Sequence, residues 1–249
     1  TDFSKYDVVF HVAGIAHVDP APQRAPLYYK VNRDLAIEAA TVAKDSGIRQ
    51  FIYMSSKIVY HTSKSLKGDV VSKDTQPCPN DFYGDSKLQA ENALKKLETN
   101  DFKVVILRSC MVYGFGNKGN LPRLAWLASK TPIFPAWHNK RSMIHVDNLA
   151  ELIRQIILRD LRGTFYPQNK EYVDTVEVVR YFAKLQGKKI WISRLFNPLV
   201  WLGSFVSKSV CKMFADSYYD QEMSRYDFDY HVVNFDDSLR DVEPQKNMR

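Results

Sequence analysis

Gln50-Phe-Ile-Tyr-Met-Ser55 and Lys103-Val-Val-Ile-Leu-Arg108 are two short apolar runs that bracket Asn80-Asp-Phe-Tyr-Gly-Asp-Ser-Lys87, and their order decides the fold. Both runs are rich in β-branched and aromatic residues without polar alternation, the pattern of strands covered on both faces. Between them, Tyr83, Lys87, Ala90, Leu94 and Leu97 recur at spacings of four and three, which predicts one stripe of a helix capped by Asn80 or Asp81. Upstream, Asp7-Val-Val-Phe-His-Val-Ala13 reads as another buried strand. A helix follows over 28–46, with Leu35, Ala39, Val42 and Ala43 on one face and Gly47 as its stop. Strand, helix, strand, helix, strand at this spacing implies right-handed crossovers and a doubly wound parallel α/β sheet.

The second half is less regular. A helix is expected over 122–130, a Pro-rich stretch around Ile133, Phe134 and Pro135, and an amphipathic helix over 148–158. A strand follows near 164–167, then a helix capped by Thr175 and ended by Gly187, and a strand over 189–193. The reading is a nucleotide-binding unit over 1–115 with parts of 141–170, and a smaller α/β substrate domain making up most of 116–249. The segment 62–79 reads as a polar loop, and the tail from Tyr218 has no clear pattern.

The chain has 249 residues, 35 basic against 28 acidic, for a net charge of +7. That balance suits an anionic small molecule such as a nucleotide diphosphate; a nucleic-acid role would rest on charge alone and ranks last. Cys78, Cys110 and Cys211 fit no metal or disulfide spacing, so they read as reduced thiols of a cytoplasmic protein without a resident metal. The apolar stretch 196–206 is far short of a membrane span. It reads as a helix covering a pocket or a partner, with a membrane surface as the other placement.

Tyr83 and Lys87, four apart on a helix, project side by side. An adjacent ammonium favours the phenolate and would lower the tyrosine pKa from about 10, making Tyr83 a general acid/base. Ser55-Ser56 ends the preceding strand, where parallel-sheet proteins bind ligands. His11, inside a strand, reads as a packed core histidine.

These residues, with His11-Val-Ala-Gly14, Asn32, Ser55-Ser56-Lys-Ile-Val-Tyr60, Leu107-Arg-Ser-Cys-Met-Val-Tyr-Gly114 and Arg141-Ser-Met-Ile-His-Val-Asp147, follow one order over about 7–150. In that order the chain resembles the extended short-chain dehydrogenase/reductase family of nucleotide-sugar epimerases, reductases and dehydratases. The resemblance implies a Rossmann-like fold, an NAD or NADP cofactor, a UDP-sugar substrate and a homodimer formed through the helices at 28–46 and 80–97. It implies catalysis by Tyr83, Lys87 and Ser56 (rather than Ser55), and cofactor contacts from Ala13, Gly14, Asn32, Tyr83 and Lys87. Substrate contacts would come from Asn120, Ile133 and Phe134, with Arg141 on the diphosphate.

Gly114-Phe-Gly-Asn-Lys-Gly119 matches a dinucleotide-binding glycine pattern, but no strand ending in an acidic residue follows it, so it reads as a substrate-side loop. The resemblance places the phosphate-binding glycine loop upstream of Asp7. Because the chain opens with Thr directly before a strand, the expectation is an N-terminally truncated sheet lacking its first β-α-β units. Dehydratases of the family carry Asp-Glu after the catalytic hydroxyl. Here Lys57 and Ile58 disfavour dehydration, while Met111 replaces an Asn common in epimerases. What remains is 4-epimerisation or 4-ketoreduction of a UDP-sugar in bacterial polysaccharide precursor synthesis. The alternative is a cofactor-deficient, non-catalytic binder of nucleotide sugars.

Overall fold

The structure is a computed structural model that describes residues 2–16, 22–63, 65–116, 120–240 and 242. In chain order, the first half contains β1 (Val8–His11), α1 (Ala25–Tyr28), α2 (Leu35–Asp45), β2 (Gln50–Ser56), β3 (Asp69–Val71), α3 (Phe82–Leu97), β4 (Lys103–Ser109) and β5 (Met111–Tyr113). The second half contains α4 (Asn120–Lys130), β6 (Ile133–Pro135), β7 (Met143–His145), α5 (Val146–Leu158), β8 (Gly163–Phe165), α6 (Thr175–Leu185), β9 (Trp191–Ser193), α7 (Asn197–Val206), α8 (Lys208–Phe214), β10 (Ser217–Tyr219) and α9 (Phe235–Arg240).

The central sheet has the order β1-β2-β4-β8, and every pairing in it is parallel. This is the Rossmann-like α/β arrangement expected from the sequence. The sheet buries both faces. Phe51, Tyr53, Val104 and Ile106 point towards Ala36, Ala40, Ala90 and Leu94 of α2 and α3. Ile52, Val105 and Leu107 point the other way, towards Leu149, Leu152 and Ile156 of α5. Adjacent residues of one strand therefore serve opposite cores, which is why these strands read as unbroken apolar runs.

Several details differ from the sequence reading. The helix expected over 28–46 is widened at Tyr29–Asp34 into a π-helical turn, which sets Asn32 inward, wholly buried. The polar loop over 62–79 contains β3, which pairs in parallel with β10 from the tail. The tail also has a definite place: Tyr219 and Tyr230 are buried in the core beneath α5, so this part of 116–249 packs on the central sheet. The cap of α6 is Asp174, whose carboxylate accepts the Val176 N–H at 2.7 Å; Thr175 is the first helical residue. A separate apolar cluster joins α4, α6 and Phe134 in the second layer.

The first core contains a buried polar node. Glu91 of α3 is fully buried and takes a bidentate ion pair from Arg108 of β4, with Arg108 Nη2 at 2.7 Å from Oε2. Ser55 of β2 donates to the same carboxylate at 2.5 Å, and Arg108 Nη1 donates to the Tyr60 hydroxyl at 2.7 Å. Removing one member strands a charge in the interior, at a cost of about 3–5 kcal/mol. Arg108→Ala should therefore lower unfolding stability by about that amount in urea titrations, and the paired swap Arg108→Met with Glu91→Leu should recover most of the loss. A mild effect of the single variant would show that the pair is solvated.

Candidate active site

β2 ends at Ser56, whose backbone leads into the single 3₁₀ turn Lys57–Val59. The Ser56 hydroxyl accepts the Ile58 N–H at 3.3 Å and lies near the Tyr83 phenol. The neighbouring Ser55 faces the opposite way, into the Glu91 carboxylate. One strand end thus supplies one structural hydroxyl and one hydroxyl at the site, as strand alternation requires.

Tyr83 reaches Ser56 because α3 starts very close to the turn after β2. Asp81 caps the helix by accepting the Gly84 N–H at 2.7 Å. A Cβ on Gly84 would lie 2.4 Å from the Ile58 carbonyl oxygen and 2.8 Å from Pro79 Cβ. Only glycine fits at that approach, so the Gly in Tyr83-Gly-Asp-Ser-Lys87 is a packing requirement. Tyr28 stands against Phe82 and Tyr83, with ring centroids 4.9 and 5.7 Å away.

Lys87 is only 5% exposed. Its ammonium donates to the Met54 carbonyl at 2.9 Å and sits 4.7 Å from the centre of the Tyr53 ring. Burial lowers its pKa to about 8, opposed by the Glu91 carboxylate one helical turn on. Tyr83 behaves differently from the sequence expectation. Burial raises its pKa, partly offset by the nearby Ser56 hydroxyl.

Asn32 ties the end of β1 to this centre. Its Oδ1 accepts the Ile15 N–H at 2.7 Å, and its Nδ2 donates to the Ile15 carbonyl at 3.1 Å and to the Ser86 hydroxyl at 3.3 Å. The Tyr53 hydroxyl donates to the Asn32 carbonyl at 2.8 Å. Ala13 and Gly14 are exposed in the segment after β1, and Gly14 lies against Lys87: a Cβ on Gly14 would sit 3.1 Å from the ammonium and 3.0 Å from Asn32 Oδ1. His11 packs against Phe51 and Tyr53, and its Nε2 has no hydrogen-bond partner among the described residues.

The substrate-side expectations are spread across the second layer. The Arg141 guanidinium donates to the Lys212 carbonyl, and its backbone pairs with Val173. Phe134 turns into the core against Phe214, whereas Ile133 points outward. Asn120 opens α4, and its side chain lies outside the described residues, as do residues 117–119 of the glycine-patterned loop. Glu91 and Arg108 were missed as part of this centre. The signal was there, since Glu91 is four residues after Lys87 and so on the same buried helix face.

The description "NAD dependent epimerase/dehydratase family" belongs to the family model that matches residues 1–166. A UDP-glucose 4-epimerase of Vibrio cholerae is 34% identical over 207 residues, 77% of this chain and 63% of that protein. An N-acetyl-alpha-D-glucosaminyl-diphospho-ditrans,octacis-undecaprenol 4-epimerase of Escherichia coli O157:H7 is 26% identical over 220 residues, 86% of this chain and 65% of that protein. The chain thus spans somewhat under two thirds of the length of these relatives. Among solved structures, a UDP-glucuronic acid 4-epimerase from Bacillus cereus in complex with NAD superposes with a TM-score of 0.69 at 21% identity, covering 97% of this chain and 74% of that one.

The buried Lys87 charge opposes folding. Its cost is fully present below pH 8 and is relieved as pH rises from about 8 towards the unfolded value of 10.5. Lys87→Met should therefore raise stability at pH 7 by up to about 3 kcal/mol, taking 1.36 kcal/mol per pKa unit, with the gain shrinking by pH 10. Chemical denaturation at the two pH values measures this, and a destabilised variant at pH 7 would contradict it.

Proposed function

We propose, starting from a chain that belongs to the NAD dependent epimerase/dehydratase family, that it acts on a UDP-hexose at C4, with Tyr83 as the acid/base. The observation that carries this reading is the close approach of α3 to the turn after β2, which brings Tyr83 near the Ser56 hydroxyl at the carboxyl end of the sheet, beside the buried Lys87. Two hydroxyls converging there offer a sugar oxygen one donor and one acceptor.

The residues present fit the nicotinamide side of NAD or NADP. A Cβ on Gly14 would crowd Asn32 Oδ1 and the Lys87 ammonium, and His11 offers a buried ring nitrogen without a partner nearby. Gly14 and Ala13 would admit the cofactor, Lys87 and Tyr83 would hold it, and Asn32 would keep the β1 end in position. When bound, the cofactor supplies the acceptor for the C4 hydride.

The protein's own groups handle the proton. Ser56, oriented by the Ile58 N–H, holds the C4 oxygen next to Tyr83. Tyr83 takes the hydroxyl proton as the carbon is oxidised and returns it on reduction. Burial raises the pKa of Tyr83, and positive charge beside the phenol would lower it. Lys87, fixed by the Met54 carbonyl, keeps its cation beside the sheet end. Arg141, released from the Lys212 carbonyl, would take the diphosphate. Lys57 and Ile58 offer no carboxylate for eliminating water, which favours epimerisation over dehydration. The reading also includes a homodimer through α2 and α3, supported by Leu35 and Val42, each 41% exposed on α2.

The assay uses the whole gene product with NAD or NADPH and UDP-hexoses. The expected result is interconversion of the C4 epimers without net change in reduced cofactor; stoichiometric NAD(P)H consumption would instead make it a 4-ketoreductase. Tyr83→Phe should lower kcat by about 10²–10⁴, and a fully active variant would overturn the assignment.

A further inference from the structure

α7 is built inside out. With 100° between successive residues, Leu199, Trp201, Leu202, Phe205 and Val206 fall within an arc of about 160°. All five are exposed, from 53% for Trp201 to 87% for Val206. The opposite side of the helix carries Val200, Gly203 and Ser204, and these face the protein. Gly203 has a packing reason to be small, since a Cβ there would lie 3.3 Å from Val210 of α8. The helix therefore presents its small residues to its neighbour and its large apolar residues outward, the reverse of a surface helix in water. Two more exposed apolar side chains precede it in the chain, Leu195 and Trp191, 76% and 62% exposed. The expectation that this stretch covers a pocket is corrected: its apolar face points away from the protein.

Charge identifies what covers it. From Val178 to Ala215 the sequence has seven lysines and arginines and no aspartate or glutamate, an excess of +7 that equals the net charge of the whole chain, 35 minus 28. Arg180 is paired with Glu177. Lys184, Lys188, Lys189, Arg194 and Lys212 are exposed and have no carboxylate partner among the described residues. An exposed apolar helix face of this kind marks an interaction site. Two of its seven exposed residues are tryptophans, the residue favoured at membrane–water interfaces. The apolar arc offers a partner protein no hydrogen-bonding group beyond the Trp201 indole N–H, a donor that also suits the polar edge of a bilayer, and a second copy docked here would set two segments of the same charge together. A helix of ten residues, about 15 Å long, can lie in a bilayer interface but not cross it. Among the described residues no helix is long and apolar enough to span a membrane.

We propose that α7, with Trp191 and Leu195, docks on the surface of an anionic lipid bilayer, its apolar arc entering the headgroup region and the surrounding lysines and Arg194 meeting lipid phosphates. This does not rest on the assignment of the active site.

Co-sedimentation of the purified protein with vesicles of phosphatidylcholine plus phosphatidylglycerol tests it against vesicles of phosphatidylcholine alone. Binding should be about tenfold or more tighter to the anionic vesicles and should weaken in high salt. The double substitution Leu202→Glu with Phe205→Glu, both in exposed positions, should weaken it about a hundredfold with an unchanged circular dichroism spectrum. If that variant fails to fold, emission of the unsubstituted protein decides: it should shift to the blue on anionic vesicles, and the shift should shrink in Trp201→Phe. Equal binding to both vesicles, an unshifted emission, or an oligomer in light scattering that the double substitution dissolves while vesicle binding is absent would each overturn the proposal.

Discussion

The fully buried carboxylate of Glu91 fixes the position of everything around the site. It belongs to α3, yet its partners are Ser55 at the end of β2 and Arg108 near the end of β4. A helix packed on a sheet by apolar contacts alone can slide by part of a turn at modest cost, because such contacts are non-directional. A buried bidentate ion pair cannot, since any slip leaves a charge unpaired in the interior. Glu91 lies one turn beyond Lys87 and two beyond Tyr83, so the node sets the depth of both along β2. The Gly84 approach to Ile58 fixes the other end of the same helix.

From that register the division of labour follows. Strand alternation sends Ser55 to the structural node and Ser56 to Tyr83. Asn32, in a widened helical turn, fastens the loop after β1 so that Gly14 lies against Lys87. Lys87 is then a cation held by one carbonyl and one aromatic ring, an arrangement that is poor for stability and good for chemistry.

Much of this was legible in the sequence, and the exceptions have physical reasons. The apolar runs at 50–55 and 103–108 announced parallel strands because both of their faces are covered. The stripe Tyr83, Lys87, Ala90, Leu94 announced α3 because its period is helical. Arg108 did not announce itself: a charged residue inside a strand looks like a strand end until its partner, seventeen residues earlier, is seen. The direction of the Tyr83 pKa was misjudged because spacing shows a neighbouring charge but not burial. β3 and β10 were invisible since three-residue strands pair only through tertiary contact. In 196–206 composition revealed the apolar character, while only the fold could show which way it faced.

The most direct test is a crystal structure of the whole gene product with NAD and a UDP-hexose bound. The account expects the sugar C4 oxygen within hydrogen-bonding distance of both the Ser56 hydroxyl and the Tyr83 phenol, with the Glu91–Arg108 pair unchanged. A sugar seated with another carbon at that pair of hydroxyls, or with neither residue touching it, would contradict the account.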